Sequence, residues 1–317
     1  MIYKNGIDLS SNLHSFLKEV EDYAILVPYI KNDKFRELLN HNPNCSQVVV
    51  RWLPMDLITQ ASDLEVYDTC KDFGITLYRN PRLHLKAFTD MSQCFMGSAN
   101  ISKRAMADAT AEGYNYEIAT TIERIDFEAK VYFQKILMES VLVTEYYVNQ
   151  IKEQLENIDA SKPPGNFTDQ LERHNEDPFL LSALPMTSTV KTLVEIYCGN
   201  SDYGEEEMNC AAHDLALYKV PLRLGRGEFI EHLDRAFNKH PFVMALKGHI
   251  ESLPKQSLNY GGVVRWIQEN TTTVPTPRPW ELKQKQLVNV LYDWICEFDG
   301  AFYWDRPNHS QVIYKIR

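Results

Sequence analysis

The 317-residue sequence predicts an α/β protein, with a mixed sheet carrying helices on both faces in its first half and a mainly α C-terminal domain after it. Two observations lead there. Short apolar runs of strand length, such as AILVPY at 24–29 and QVVVRWL at 47–53, alternate with stretches of helical spacing, and that alternation builds a sheet flanked by helices. Beyond residue 158 a polar segment carrying Pro-Pro-Gly intervenes, and most of the remaining chain has a helical period. The expected boundaries are a first domain at 1–158, a linker at 159–180 and a second domain at 181–317.

Each element has a local reason. Residues 9–20 place Leu13, Phe16, Leu17 and Val20 on one helical face behind a serine-rich start. The strand at 24–29 leads to a helix at 33–40, and the strand at 47–53 to a helix at 57–73 broken near Ser62. Gly74 stops that helix, because it adopts left-handed backbone without strain, and a strand at 75–78 comes next. Two strands within 83–97, a helix at 102–109 and a strand at 114–122 continue the order. Asp126 caps a long amphipathic helix running to 157. In the second half, helical periods cover 190–197 and 228–238. The chain then reads as a helix at 263–269, the proline-marked turn TVPTPRPW, a helix at 281–296 and strands at 302–304 and 312–316, which is the order of a winged helix-turn-helix. Trp266, Trp280, Trp294 and Trp304 recur at positions suited to a helical core. His174 and the run Glu205-Glu206-Glu207 are expected in solvated loops, and Gly225-Arg226-Gly227 in a turn.

A net charge of −10 argues against a surface coated in positive field for long-range capture of nucleic acid, while leaving room for a local basic cleft. The six cysteines form no CxxC pair and no Cys/His spacing that holds zinc, so they read as reduced core thiols, and no cofactor is expected. No apolar run nears the roughly 20 residues of a membrane span. The start, MIYKNGIDLSS, lacks the pattern of a secretory signal. A cytoplasmic protein without membrane association is expected.

The chemistry concentrates at 83–100, LHLKAFTDMSQCFMGSAN. On a strand, His84 and Lys86 point to one face, and the small-residue turn Gly97-Ser98-Ala99-Asn100 brings a hydroxyl and an amide to it. An imidazole attacks phosphorus and leaves again, an ammonium neutralises the non-bridging oxygens, and Ser and Asn hydrogen-bond to them. That scheme needs no metal. The stretch resembles the phospholipase D superfamily, whose motif is His-x-Lys, an Asp a few residues on, and Gly-Ser-x-Asn after a short strand. The matching residues are His84, Lys86, Asp90, Gly97, Ser98 and Asn100, although three residues separate Lys86 from Asp90 where the family usually has four. Asn115-Tyr116-Glu117-Ile118 is similar to the superfamily's Asn-x-Glu strand, whose Glu orients and polarises the histidine. The resemblance implies a phospholipase D-like fold for 1–158, catalytic roles for His84, Lys86, Ser98, Asn100 and Glu117, and a structural or supporting role for Asp90.

The family's full site holds two His-Lys pairs, one histidine taking the phosphoryl group and the other protonating the leaving group. His213, His232, His240, His249 and His309 all lack a Lys two residues on. The resemblance therefore implies a homodimer with His84 and Lys86 of each copy across a two-fold axis; the alternative is a degenerate copy without activity. Arg51, Arg79 and Arg82 beside strand ends, with Lys103-Arg104 after GSAN, are candidates to line a nucleic-acid backbone groove. The expected function is a metal-independent nuclease, acting on DNA in preference to RNA through a phosphohistidine. Superfamily nucleases with one motif and an added C-terminal domain resemble restriction or phage-defence effectors, whose added domain recognises DNA or docks on a motor ATPase or another defence-system subunit. Competing readings are a non-catalytic nucleic-acid-binding subunit of a defence complex and a phospholipase or phosphatidyltransferase.

Overall fold

A computed structural model describes residues 2–107, 113–157, 178–274, 284–307 and 310–316. The chain divides into two compact units, Met1–Asp126 with Glu139–Arg173, and Phe127–Met138 with His174–Arg317.

The first unit begins with β1 (Ile2–Lys4) and α1 (Asn5–Lys18), then alternates β2 (Tyr23–Leu26), α2 (Asn32–His41), β3 (Cys45–Val50), α3 (Pro54–Ile58), α4 (Val66–Phe73) and β4 (Thr76–Arg79). An antiparallel meander comes after them, β5 (Ala87–Thr89), β6 (Cys94–Gly97) and β7 (Ile118–Ile122). After α5 (Phe127–Met138), which belongs to the second unit, the chain returns through β8 (Val141–Leu142) and α6 (Glu145–Glu156). The eight strands lie in the order β1-β7-β6-β5-β2-β3-β4-β8. Only the neighbours β2, β3 and β4 run parallel.

Register aligns Ile25 with Val48 and Phe88, Val48 with Leu77, and Phe88 with Phe95 on one face of the sheet. Buried side chains of α1, α2, α4 and α6 join them in one core. Leu26, Val49 and Ala87, on the other face, are also buried. Burial on both faces is why the central strands read as unbroken apolar runs, each buried aliphatic side chain contributing about 1.5–3 kcal/mol. Gly74 ends α4 at φ 69°, where its N–H donates to the Cys70 and Lys71 carbonyls.

Several expectations for the first half are corrected. The helix predicted over 126–157 breaks, because Val141 and Leu142 pair with Arg79 and Tyr78 as an edge strand. The β-branched Val141, Val143 and Thr144 favour that extended path, and Thr144 then caps α6 by accepting from the Tyr147 N–H at 3.2 Å. Ser102–Met106 forms turns instead of a helix, with the Met106 N–H on the Ser102 carbonyl at 2.8 Å, and residues 108–112 lie outside the described ones. The strand expected at 114–122 begins only at Ile118. The segment 127–138 expected within the first domain lies in the second unit, where the buried Lys130 ammonium is held by Glu205 and Asn209 and Glu128 pairs with Arg223 at 3.0 Å.

The second unit comprises α5, β9 (Phe179–Leu180), α7 (Val190–Tyr197), α8 (Glu205–Leu217), α9 (Arg226–Asn238), α10 (Pro241–Ser252), β10 (Ser257–Asn259), α11 (Tyr260–Asn270), β11 (Thr271–Thr272), α12 (Gln284–Phe298), β12 (Phe302–Asp305) and β13 (Val312–Lys315). The expected linker, with His174, falls mostly on residues 158–177, outside the described ones; its last residues, Phe179 and Leu180, instead pair in parallel with β11. The three-stranded sheet β10-β13-β12, with α10, α11 and α12 before the β12–β13 hairpin, has the strand order of a winged helix. Its α12 buries Val288, Leu291, Trp294 and Ile295 in the core and leaves Gln286, Asn289 and Glu297 exposed.

Glu205–Glu207 form the first turn of α8 rather than a loop, where carboxylates complement the helix dipole. Gly225 is the N-cap of α9. Trp266 and Trp294 are core residues as expected, Trp304 is half-exposed on β12, and Trp280 lies outside the described residues. Among the described residues no helix is long and apolar enough to cross a membrane.

A buried polar joint ties the second unit together. Asp214 accepts from the backbone N–H of Met186 (2.9 Å) and Thr187 (2.7 Å) and faces His213 Nδ1 at 2.8 Å, while His213 Nε2 faces the Ser182 carbonyl at 2.7 Å. Asp214→Ala leaves three buried groups without their acceptor. The expected cost is about 3–5 kcal/mol, read as a lower denaturation midpoint for the second unit, with a smaller loss for Asp214→Asn.

Candidate functional site

Strand direction gathers the site at one end of the first unit's sheet. β2, β3, β4 and β6 finish at the end where β5 and β7 begin. Just beyond the start of β5, the segments after β2 and β6 meet. Ile30 bridges Ile101 in parallel, the Ile101 N–H donates to the Tyr29 carbonyl at 3.2 Å, and the Lys31 N–H donates to the Ile101 carbonyl at 2.8 Å. Segments 27–31 and 98–101 thus converge beside Leu83–Lys86.

Gly97 is what lets β6 and β7 come together there. A Cβ at that position would lie 2.4 Å from the Ile118 carbonyl oxygen and 2.8 Å from Ala119 Cβ, closer than any side chain tolerates. The Ser98 N–H consequently donates to that carbonyl at 2.9 Å, and Ser98 Oγ accepts from the Ile118 N–H at 3.0 Å. On the opposite edge of β6, the Gly97 N–H donates to the Lys86 carbonyl at 3.1 Å. Lys86, Ser98 and Ile118 are locked abreast, almost entirely by backbone.

The side chains build on that frame. Ser98 Oγ donates to Glu117 Oε2, and the other Glu117 oxygen accepts from Asn115 Nδ2 at 3.2 Å. Lys86 Nζ donates to the His84 carbonyl at 2.9 Å. Burial pushes the Lys86 pKa below its ordinary 10.5, Glu117 opposing the shift and Arg51 adding to it, so the ammonium shares a field with both. Arg51 clasps Asp56 through Nε (2.9 Å) and Nη2 (2.6 Å), bonds the Tyr29 hydroxyl and lies 4.7 Å above the Tyr29 ring. Its neighbour Trp52 is held in left-handed backbone at φ 43°, with its indole on Ser62 and its carbonyl accepting from Arg79. Asn100 Oδ1 is buried without a hydrogen-bond partner among the described residues.

His84, Lys86, Ser98, Asn100 and Glu117 therefore lie on segments meeting at one sheet end, but not by the expected route. His84 and Lys86 precede β5, which starts at Ala87, so strand alternation does not orient them. His84 is exposed and its ring makes no hydrogen bond to a described residue, so Glu117 is held by Ser98 and Asn115 and not by the histidine.

Asp90 is not part of the site. It sits past the far end of β5, where its Oδ1 accepts from the N–H groups of Ser92 and Gln93, both at 2.8 Å, and caps the β5–β6 turn. Arg79 is also corrected: it is fully buried, donating to the Trp52 carbonyl at 3.0 Å and the Tyr147 hydroxyl at 2.9 Å, and cannot line a groove. Arg82 is exposed and paired with Glu139, and Lys103 with Asp33 at 2.7 Å. Arg104 is exposed and forms no ion pair with a described residue. Sequence reading missed Asp56 and Tyr29, which neutralise and seat Arg51; neither carries a motif. Asn115 was legible as a motif residue but not as the partner of Glu117.

No protein-family model and no curated protein matches the chain. Solved structures resemble parts of it. NucT from Helicobacter pylori is 19% identical over 43% of this chain and 91% of its own, with a TM-score of 0.32. Phosphatidylserine synthase from Haemophilus influenzae Rd KW20 is 14% identical over 49% of this chain and 42% of its own, at 0.38. TrmBL2, an archaeal chromatin protein, is 14% identical over 45% of this chain and 54% of its own, at 0.30. What the fold and site define is a mixed α/β protein with a helical C-terminal region and a His-Lys, Gly-Ser-x-Asn cluster at one sheet end.

Two outcomes are expected from this geometry. Gly97→Ala should cost about 1–3 kcal/mol in thermal or chemical unfolding, because β6 and β7 must separate. The part of phosphate affinity due to Lys86 should be full at neutral pH and fall as pH rises toward its lowered pKa, earlier than for a free lysine at 10.5. Inorganic-phosphate titrations across pH check this: Lys86→Met removes the alkaline decline, and Lys86→Arg moves it upward.

Proposed function

We propose that the first unit is a metal-independent phosphodiesterase that hydrolyses DNA through a phosphohistidine, with a homodimer completing the site. The observation that supports this reading is that Lys86, Ser98, Asn100 and Glu117 lie on segments meeting at one end of the sheet, with His84 exposed and its ring free of hydrogen bonds to described residues. In the proposed sequence a His84 ring nitrogen attacks phosphorus while the bond to the leaving oxygen breaks. His84 of a second copy gives that oxygen its proton. Water then attacks the phosphohistidine, the second histidine takes the water's proton, and the first is released as free imidazole. Lys86 neutralises the non-bridging oxygens, and the Asn100 amide and Ser98 hydroxyl hydrogen-bond to them. Phosphate exchanges with Glu117 for the Ser98 hydroxyl, which frees the carboxylate to orient His84.

The homodimer is supported by the single His-Lys pair and by Ile2, Ile118 and Ile122, exposed on one face of β1 and β7, with Ile118 at the site's end, where a sister copy has an apolar face to cover. A role for the second unit in docking, on a motor ATPase or another subunit of a restriction or phage-defence system, is favoured over DNA reading by the net charge of −10.

Plasmid cleavage by the purified full chain should survive EDTA, and His84→Ala should abolish it without changing the unfolding midpoint. Solution mass should report a dimer. EDTA-sensitive cleavage, an active His84→Ala protein or an active strict monomer each contradicts the scheme.

A further inference from the structure

We propose that Tyr116 is a stacking platform for a nucleobase flanking the scissile phosphate, so that the site takes single-stranded nucleic acid in preference to duplex; this rests on the phosphodiesterase reading. Tyr116 is 98% exposed, and its ring touches no described residue. A large aromatic held wholly in water is costly in apolar hydration and has no packing role to explain it. Its position is nevertheless fixed on both sides. The Asn115 N–H donates to the Arg104 carbonyl at 2.8 Å, and the Asn115 amide bonds Glu117, which holds Ser98. Tyr116 thus immediately precedes Glu117, whose carboxylate bonds the Ser98 hydroxyl, the two Cα atoms standing about 3.8 Å apart. Glu117 bonds Ser98 and Asn115 bonds Glu117, while the Tyr116 ring between them faces solvent.

The same tether places a cation. Arg104, whose carbonyl anchors Asn115, is exposed and forms no ion pair with a described residue, whereas Arg51, Arg82 and Lys103 are each held by a carboxylate. A guanidinium and an aromatic ring that are both exposed and unpaired among the described residues, tethered through Asn115 beside the proposed phosphate site, match what a nucleotide presents: a charged backbone and a flat base. Bases of a duplex are already stacked inside the helix and offer no free face to a ring. Bases of a single strand do, whatever their identity.

Cleavage and binding by the full chain are compared on a single-stranded oligonucleotide carrying 2-aminopurine and on the same sugar-phosphate strand with abasic positions. The base-bearing strand should be preferred roughly tenfold or more, with 2-aminopurine fluorescence quenched on binding. Tyr116→Ala should erase the preference and the quenching while leaving abasic-strand turnover unchanged; Tyr116→Phe and Tyr116→Trp should keep both. Equal handling of the two strands by the wild-type protein, or a preference untouched by Tyr116→Ala, overturns the proposal. So does a Tyr116→Ala protein that instead loses its dimer, or its binding to phosphatidylglycerol vesicles, with the base preference intact. If the wild-type chain binds but cleaves neither strand, the phosphodiesterase reading fails while quenching still decides the stacking.

Discussion

The close approach of β7 to Gly97 is the constraint on which the site rests. No other residue leaves room for the Ile118 carbonyl at that point, and without the contact the Ser98 backbone has nothing to pair with. Once the two strands close, backbone hydrogen bonds place Lys86, Ser98 and Ile118 side by side, and Glu117 reaches Ser98 because it precedes Ile118. Loops support this arrangement more than they create it. Positions fixed by a sheet ladder lose little further entropy when they bind, which is what a preorganised site requires.

Electrostatics at this end of the sheet are sorted rather than simply positive. Arg51 is committed to Asp56, Lys103 to Asp33 and Arg82 to Glu139, and Arg79 is buried against a carbonyl and a hydroxyl. Exposed pairs of this kind contribute little to stability, but each removes a cation from the field an incoming polyanion meets. Lys86 and Arg104 form no ion pair with a described residue, and burial makes the Lys86 ammonium easier to deprotonate than a solvated one.

The second unit shows how one motif order serves two purposes. β10, α11, α12 and the β12–β13 hairpin have the winged-helix order, and α12 spends its apolar face on the core, with Trp294 packed against Tyr218, Phe237 and Phe298, while Gln286, Asn289 and Glu297 face solvent. The buried His213–Asp214 joint secures the same unit by satisfying the backbone of Met186 and Thr187.

Local pattern was enough to reveal the strand-helix alternation of the first half, the stop at Gly74 and the break near Ser62, and it singled out His84, Lys86, Ser98, Asn100 and Glu117 as one motif set, because periodicity, glycine chemistry and motif spacing are properties of neighbouring residues. The same pattern suggested a supporting role for Asp90 and a groove position for Arg79; Asp90 caps the β5–β6 turn at the far end of β5 and Arg79 is buried, because spacing along a chain does not reveal which end of a strand a side chain occupies or which neighbour buries it. The break of the helix predicted at 126–157 is of the same kind, since Val141 and Leu142 become a strand only where Tyr78 and Arg79 present an unpaired edge. Folding in three dimensions was needed to settle the partner of Glu117, the burial of Arg79 and the exposure of Tyr116, because each depends on contacts between segments far apart in sequence, whose free energies no local pattern encodes.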